Sequence, residues 1–371
     1  MIIYFIGQKG IPAKFGGVER HVEELATRLV KAGHQIYVYT RANYTDPKLK
    51  EFHGVNLIAL PTIVTKHLSA IIHTFRACLD IVRRKVDIIH FHSIGPSSLI
   101  WLIKILKPGV PVVATFHTKC YEHQKWNRLA KLYLKFGEKI LCFLADKVIT
   151  VSQSLTNYAE KKYKRIVNYI PNGTKSYKDF QAQKITKWGL EKDNYILAVS
   201  RLIKHKGIHF LINAYKQIKT DKKLVIVGAG YYTDDYIKEL KSLIVGCDNI
   251  IFTNNQTGRT LAELFSNAFL FVQPSESEGL SMALLEAMSY GKCSLVSNIT
   301  ENIEVVGDNS YSFENKNVDS LKNKLIYLLN NPLLVKECGE KLKIRADKYY
   351  NWEDITAKTI KVYQQAIKGR C

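Results

Sequence analysis

Short β-branched runs alternate with helix-period segments along the first half of the chain, and then the same pattern starts again. Ile2–Ile6, Ile36–Thr40, Val55–Leu60, Ile88–Phe91, Val112–Phe116 and Val148–Val151 read as strands, with helical stretches such as Val18–Ala32 and Leu68–Val82 between them. Parallel strands need a long crossover, usually a helix, so this alternation predicts a parallel sheet covered by helices. In the first helix Val18, Val22, Leu25, Ala26 and Leu29 share one face, and Gly33 follows as a left-handed cap. A second series opens with Tyr195–Val199 and runs through Ile208–Ile218, Leu224–Val227, Ile250–Phe252, Phe269–Val272, a helix carrying Glu286, and Ser294–Val296. At 371 residues the chain exceeds one ordinary core. The expected architecture is therefore α/β: two doubly wound parallel-sheet domains, 1–174 and 175–352, facing each other across a cleft. The turn-rich run from Ile170 to Tyr177 and the polar segment Lys175 to Asp193 are placed as the linker.

Composition narrows the function classes. The 54 Lys and Arg against 33 Asp and Glu give a formal charge of +21, which calls for an anionic partner: nucleic acid, an acidic membrane or a phosphorylated substrate. Cys78, Cys120, Cys142, Cys247, Cys293, Cys338 and Cys371 are scattered with no Cys-x-x-Cys pair, against both a zinc site and a disulfide framework. Reduced thiols in the cytoplasm are the simplest reading. The opening Met-Ile-Ile-Tyr-Phe-Ile-Gly lacks a basic flank and is not expected to be a signal peptide. The apolar run Leu99 to Phe116 is broken by Lys104, Lys107, Pro108, Gly109 and Pro111, so no membrane span is expected.

Ligands of open parallel sheets sit beyond the carboxyl ends of the strands, so the loops there are the candidates for chemistry. After the first strand, Gly7-Gln-Lys-Gly10-Ile-Pro-Ala-Lys-Phe-Gly16-Gly17 leads into a helix. Gly16 and Gly17 would let a phosphate or sugar approach the main chain, with Lys9, Lys14 and Arg20 nearby, although glycines of this kind also simply shape turns. The Gly-x-Gly-x-x-Gly spacing is absent, which argues against NAD. In the second half, Arg201 and Lys206 bracket the loop after Val199, where a guanidinium and an ammonium would neutralise a diphosphate. Singly, each is an ordinary solvated cation. Glu278 and Glu286 stand eight positions apart. With Glu278 just before a helix and Glu286 two turns in, eight helical steps would separate them by a rise of about 12 Å, the span of a nucleotide sugar. Between them the backbone N–H groups of Gly279, Leu280 and Ser281 are expected at the helix start. His117 ends the strand Val112–Phe116 and is placed to hydrogen-bond a reacting sugar. His90 and His92 alternate along a strand and read as mainly structural, with His92 toward an acceptor. No metal-ligand spacing is found.

Taken together, Gly16-Gly17-Val-Glu19, Thr-Phe-His117, Ile-Pro-Asn172-Gly173, Arg201 with Lys206-Gly207, and Glu278 to Glu286 resemble the family 4 retaining glycosyltransferases of GT-B fold, whose two domains are Rossmann-like. The match spans nearly the whole chain, and it is the order of five motifs that makes it specific. The opening glycine-rich run also resembles a bacterial subgroup that makes surface polysaccharides and includes rhamnosyltransferases. The resemblance implies that Arg201 and Lys206 hold the donor diphosphate, Glu286 the ribose hydroxyls, and Glu278 with Leu280 and Ser281 the transferred sugar. It further implies that His117 contacts that sugar, that Gly16 and Gly17 serve the donor, and that Glu19 and His92 lie on the acceptor side. No cofactor and no metal are expected, since two cations and a helix dipole stand in for a divalent ion. Ser281 departs from the proline or small residue common in the family, which leaves the donor sugar open. The final helix from Trp352 looks like the family's last segment, which returns to the N-terminal domain, here about 353–371.

The stretch 125–139 places Arg128, Lys131, Lys135 and Lys139 along one helical stripe, with Leu129, Leu132, Tyr133 and Phe136 nearby. A basic amphipathic helix of this kind suits an anionic membrane surface; the alternative is a sheet-covering helix with a solvated face. The resulting expectation is an enzyme at the inner face of the cytoplasmic membrane that moves a hexose or deoxyhexose from a nucleotide sugar to a lipid-linked saccharide. The rivals are a nucleotide-sugar epimerase, a non-catalytic scaffold, and a nucleic-acid-binding protein. The last is disfavoured because the aromatic residues follow core periodicities.

Overall fold

The computed structural model describes residues 1–63, 65, 68–122, 126–230 and 233–369; Lys125 and Cys371 of the sequence expectations lie outside the described residues. The chain divides into two compact units, Met1–Asn172 with Trp352–Cys371, and Gly173–Asn351.

Unit 1 is built on β1 (Ile2–Ile6), β2 (Gln35–Arg41), β3 (Glu51–Phe52), β4 (Val55–Leu60), β5 (Ile88–His92), β6 (Val112–Phe116), β7 (Lys147–Thr150) and β8 (Asn168–Tyr169). Their order in the sheet is β3-β4-β2-β1-β5-β6-β7-β8. Every pairing is parallel except the β3–β4 hairpin, with Ile3 opposite Ile88 and Ile89 opposite Val112. All residues of β5 and β6 are buried, as expected where helices cover both faces of a parallel sheet. The first helix, Gly17–Lys31, hides Val22, Leu25, Ala26 and Leu29 as its spacing predicts, and Gly33 takes φ +81 after it. Val18 is only half-buried, while Glu19, His21 and Glu24 go inside instead. Burying them is tolerable because each finds a partner: Glu24 accepts from Arg28 at 2.6 Å and Arg20 at 3.0 Å, and His21 meets Asn172.

The helix Trp352–Lys368 belongs to unit 1 although all of unit 2 precedes it in the chain. Trp352 lies beneath the Arg28 guanidinium, 5.5 Å from ring centroid to carbon, and the Tyr363 hydroxyl is 2.7 Å from His90 Nδ1.

Unit 2 carries β9 (Tyr195–Val199), β10 (Lys223–Val227), β11 (Ile250–Phe252), β12 (Leu270–Gln273), β13 (Ser294–Ser297) and β14 (Tyr311–Phe313) in the order β11-β10-β9-β12-β13-β14. All its pairings are parallel. Both units are thus Rossmann-like sheets of the doubly wound kind. The polar segment 175–193 differs from the linker that its composition suggests. The Glu263 carboxylate, fully buried, accepts from the backbone N–H of Gln183 at 2.9 Å and Lys184 at 2.6 Å, and Ile185 and Leu190 are buried. Ser266 and Asn267 also bond the Phe180 backbone, so buried apolar side chains and polar groups of unit 2 together hold this otherwise polar stretch. Among the described residues no helix is long and apolar enough to cross a membrane.

Glu263→Ala should free both amides and strand Arg259, which pairs with Glu263 at 2.8 Å. The expected loss is about 2–4 kcal/mol of stability, seen in denaturant unfolding. Faster amide exchange should be confined to residues around 180–187.

Candidate functional site

A doubly wound sheet opens a crevice where chain order reverses, because the loops leaving the two central strands diverge there. In unit 2 that point lies between β9 and β12, and in unit 1 between β1 and β5. The sequence-predicted residues gather at these two places.

In unit 2 the loop after β9 carries Arg201 and Lys206, and the loop after β12 carries Glu278. Lys206 Nζ meets Glu278 Oε1 at 2.5 Å, with side chains only 14% and 8% exposed. The backbone draws the loops together as well: Glu276 donates its N–H to the His205 carbonyl at 2.8 Å. Gly207, at φ +68, lies so near that a Cβ there would sit 1.9 Å from the Pro274 oxygen. Only glycine fits. Arg201 stands exposed just past β9, on the same loop as Lys206.

The structure corrects where the helix before Glu286 starts, which the sequence placed around Gly279 to Ser281. Pro274 to Leu280 form a loop, and the helix runs only from Met282 to Ser289. Ser281 is its N-cap, accepting from the Leu284 N–H at 3.3 Å. Glu286 therefore sits in the second turn, about 6 Å along the axis from the first helical residue, and the rest of its separation from Glu278 is loop. The N–H groups of Gly279, Leu280 and Ser281 precede the helix, with Leu280 buried. Beneath the cap, the Ser281 hydroxyl donates to Gln273 Oε1 at 2.6 Å, Gln273 donates to Asn302 at 2.7 Å, and Asn302 donates to the Ser297 carbonyl at 3.2 Å. This polar chain fixes where the helix starts. Gln273 and Asn302 carried no motif, so sequence reasoning missed them.

In unit 1 the glycine-rich loop is held by its own amides. Glu19 Oε1 accepts from Lys9 N–H at 3.1 Å, Glu23 from Ala13 N–H at 2.6 Å, and the Tyr44 hydroxyl from those of Lys14 and Phe15 at 2.8 and 3.1 Å. Gly16, at φ +105, leaves room for Glu19, whose Oε2 would lie 2.0 Å from a Cβ. Gly17 begins the helix. With two carboxylates turned onto its amides, the loop suits neutral hydroxyls better than the phosphate that its glycines suggest.

Beside it lies a buried group of imidazoles. His92 ends β5 and His117 follows β6, and His92 Nδ1 is 3.1 Å from His117 Nε2. His21 Nδ1 is 2.8 Å from Asn172 Oδ1, and its ring meets His117 edge-on at 4.9 Å. His90 stacks near His92 at 4.2 Å and is satisfied at both nitrogens, by Tyr363 and by Thr115 at 2.7 Å each. Burial is the main cause that keeps all four neutral: it pushes His21 down to about 4 against the raising effect of Asn172, and holds His90, His92 and His117 well below the usual range. His21, His92 and His117 each offer a nitrogen within 4.8 Å of the others, a set that could hold a metal ion. Such ligands are of the type transition metals take, but His92 and His117 already spend one nitrogen each on one another. No spacing rule reveals the group, because it is assembled from three elements.

Comparison with known proteins gives two adjoining matches. The family model described as glycosyl transferases group 1 matches residues 180–345, and that of glycosyltransferase family 4 matches residues 15–176. O-antigen chain mannosyltransferase B of Escherichia coli is 23% identical, covering 94% of this chain and 96% of its own. Among solved structures, sucrose-phosphate synthase from Thermosynechococcus elongatus has a TM-score of 0.85 at 21% identity, covering 99% of both chains. Anabaena HepE in complex with UDP-glucose has a TM-score of 0.83 at 18% identity, covering 98% of this chain and all of that one (100%). These likenesses show the fold.

The buried imidazoles make stability depend on pH with a defined sign. Above pH 6.5 neither folded nor unfolded His21 carries the proton, and nothing is lost. Between 6.5 and about 4 the unfolded chain binds a proton that the folded one refuses, so stability falls as pH drops. For His21 alone the decline is on the order of 3 kcal/mol across that window. Denaturant midpoints measured against pH should show it, and His21→Phe should flatten the slope.

Proposed function

The chain belongs to the GT-B glycosyltransferases of the group 1 and family 4 superfamily, and on that premise we propose that it is a retaining enzyme of surface-polysaccharide synthesis. It takes a hexose or deoxyhexose, rhamnose included, from a nucleotide-diphosphate sugar and passes it to a lipid-linked saccharide on the way to lipopolysaccharide, O-antigen or capsule. The E. coli O-antigen mannosyltransferase and the UDP-glucose held by HepE support the product class and the donor class.

The observation that carries this reading is the Lys206–Glu278 contact at the β9–β12 switch point. It joins the cation of one loop to the carboxylate of another, where a doubly wound sheet binds its ligand. Arriving diphosphate competes with Glu278 for the Lys206 ammonium and gains the Arg201 fork beside it. Released from Lys206, Glu278 turns to the sugar hydroxyls with the Leu280 and Ser281 backbone, and Glu286 takes the ribose. Two cations and the N-terminus of the helix Met282–Ser289 offset the growing charge on the leaving phosphate, so transfer needs no metal and no cofactor. The leaving phosphate oxygen accepts the acceptor's proton on the same face, which retains configuration without a carboxylate nucleophile. In unit 1, His117 is the group that touches the transferred sugar, with Gly16 and Gly17 on the donor and Glu19 on the acceptor side through the loop it holds.

The helix Arg128–Leu144 supports a membrane-bound acceptor. It turns Leu134, Gly137, Glu138, Leu141 and Cys142 inward, yet leaves Leu129 78%, Leu132 67% and Phe136 48% exposed beside exposed Arg128, Lys135 and Lys139. An ordinary sheet-covering helix would hide such leucines. Apolar side chains among cations suit the acidic inner face of the cytoplasmic membrane, each cation adding about 1 kcal/mol near lipid.

Arg201→Ala and Glu278→Ala should each lower transfer by about a hundredfold or more; the first should leave the melting temperature of the free protein close to that of the parent, while the second, which strands the nearly buried Lys206 ammonium, should lower it without unfolding the protein. A panel of nucleotide sugars in thermal-shift assays identifies the donor, because a ligand at 100 times its Kd stabilises by about 2.7 kcal/mol. The responding sugar should lose its effect in Arg201→Ala, and unaltered turnover in both variants would reject the site. In flotation with acidic liposomes, changing Leu129, Leu132 and Phe136 to serine should release the protein, as should Glu at Arg128, Lys131 and Lys135. Neutral liposomes should bind it weakly.

A further inference from the structure

The hydrogen between His92 and His117 can sit on either ring, and the surroundings choose. His92 Nδ1 and His117 Nε2 lie 3.1 Å apart, so one donates and the other accepts. His92 Nε2 is buried without a partner. If His117 donated, the His92 proton would move to that Nε2, and a buried N–H would be left unpaired, which native interiors almost never allow. If His92 donates from Nδ1, the orphan is a bare lone pair, the milder defect. His117 then accepts at Nε2 and must carry its own hydrogen on Nδ1. That nitrogen makes no hydrogen bond among the described residues and is not one of the buried orphans, so it faces outward.

The neighbours allow no other solution. His21 donates its Nδ1–H to Asn172 Oδ1, which can only accept, and so has no proton to offer from Nε2. His90 is satisfied on both sides by Tyr363 and Thr115, which leaves it as a wall against His92 and not as a donor. The Phe5 ring closes another side, 5.3 Å from His92.

We propose that His92 is a positioning residue that fixes His117 as its Nδ1–H form, so that the reacting sugar meets a neutral hydrogen-bond donor and not a base. The inference rests on the reading of His117 as a sugar contact. A neutral donor can grip a sugar oxygen without repelling the positive charge that builds on the ring during transfer, whereas an imidazolium would. His92, His21 and Asn172 thereby become part of the catalytic apparatus without touching substrate.

Long-range proton–nitrogen NMR of the 15N-labelled full chain reads the tautomers directly. His117 should be protonated at Nδ1 in the parent and lose that preference in His92→Phe, which keeps the bulk but removes the donor. His92→Asn, whose amide can donate in place of the ring, should restore it. With a donor in hand, His92→Phe should lower kcat about tenfold or more with little change in KM, as for other groups that orient a reacting residue, and His92→Asn should recover part of it. A parent spectrum with His117 protonated at Nε2, or a tautomer indifferent to His92, overturns the proposal. So would intense visible bands on adding Co2+ that His21→Ala abolishes, since the nitrogens would then serve a metal. Should His117 prove Nδ1-protonated under His92 control while His117→Ala still transfers sugar at full rate, the tautomer assignment stands and the sugar-contact reading falls.

Discussion

Parallel pairing is the constraint on which everything else hangs. A parallel strand cannot be reached by a tight turn, so most connections cross the sheet through a helix and return to the same edge, while β2 reaches its parallel neighbour β4 by way of the short β3. In both units this places the loops that follow the strands along one edge, and the reversal of chain order at β1–β5 and β9–β12 separates two of them. The chemistry then settles where the backbone leaves space. In unit 2 that space is lined by a cation and a carboxylate in mutual contact, and in unit 1 by uncharged imidazoles and a loop braced by glutamates.

The two sites solve the problem of polar groups near a core in different ways. Lys206 and Glu278 neutralise one another across two loops, each charge balanced by the other where little water reaches. The histidines stay uncharged and share hydrogens, so their arrangement depends on direction more than on charge. Tyr44, Asn172, Gln273 and Asn302 play the same supporting part, Tyr44 on backbone amides, Asn172 on the His21 ring, and Gln273 and Asn302 on one another.

The strands were legible because apolar runs of strand length between helix-period segments leave little choice: Ile2–Ile6, Val55–Leu60, Val112–Phe116, Tyr195–Val199 and Ile250–Phe252 lie where the pattern puts them. Arg201, Lys206, Glu278 and His117 were legible because they follow strand ends, and the fold gathers strand ends. What stayed hidden depends on distant partners. Glu24 looks like a solvated helix charge until Arg28 is seen beside it, and nothing in the sequence puts the Glu19 carboxylate on the Lys9 amide. The segment 175–193 looks like a tether until Glu263 takes its amides. The start of the helix before Glu286 is a competition between Gly279, Ser281 and the apolar run, and the cap at Ser281 wins because its hydroxyl is also anchored on Gln273. The leucines of Arg128–Leu144 were visible in the sequence, but their outward direction was not.

The helix Trp352–Lys368 supplies Tyr363 to His90 and Trp352 to Arg28, yet it is made after the whole of unit 2. On the ribosome, residues 1–172 therefore emerge early with an unfinished wall, while unit 2, continuous in the chain, can close by itself. Nascent unit 1 must wait through roughly half of its own translation for the piece that seals its imidazoles from water. Until then the Tyr363 hydroxyl on His90 and the Trp352 ring under Arg28 are missing from unit 1, and the last helix of the chain completes its first domain.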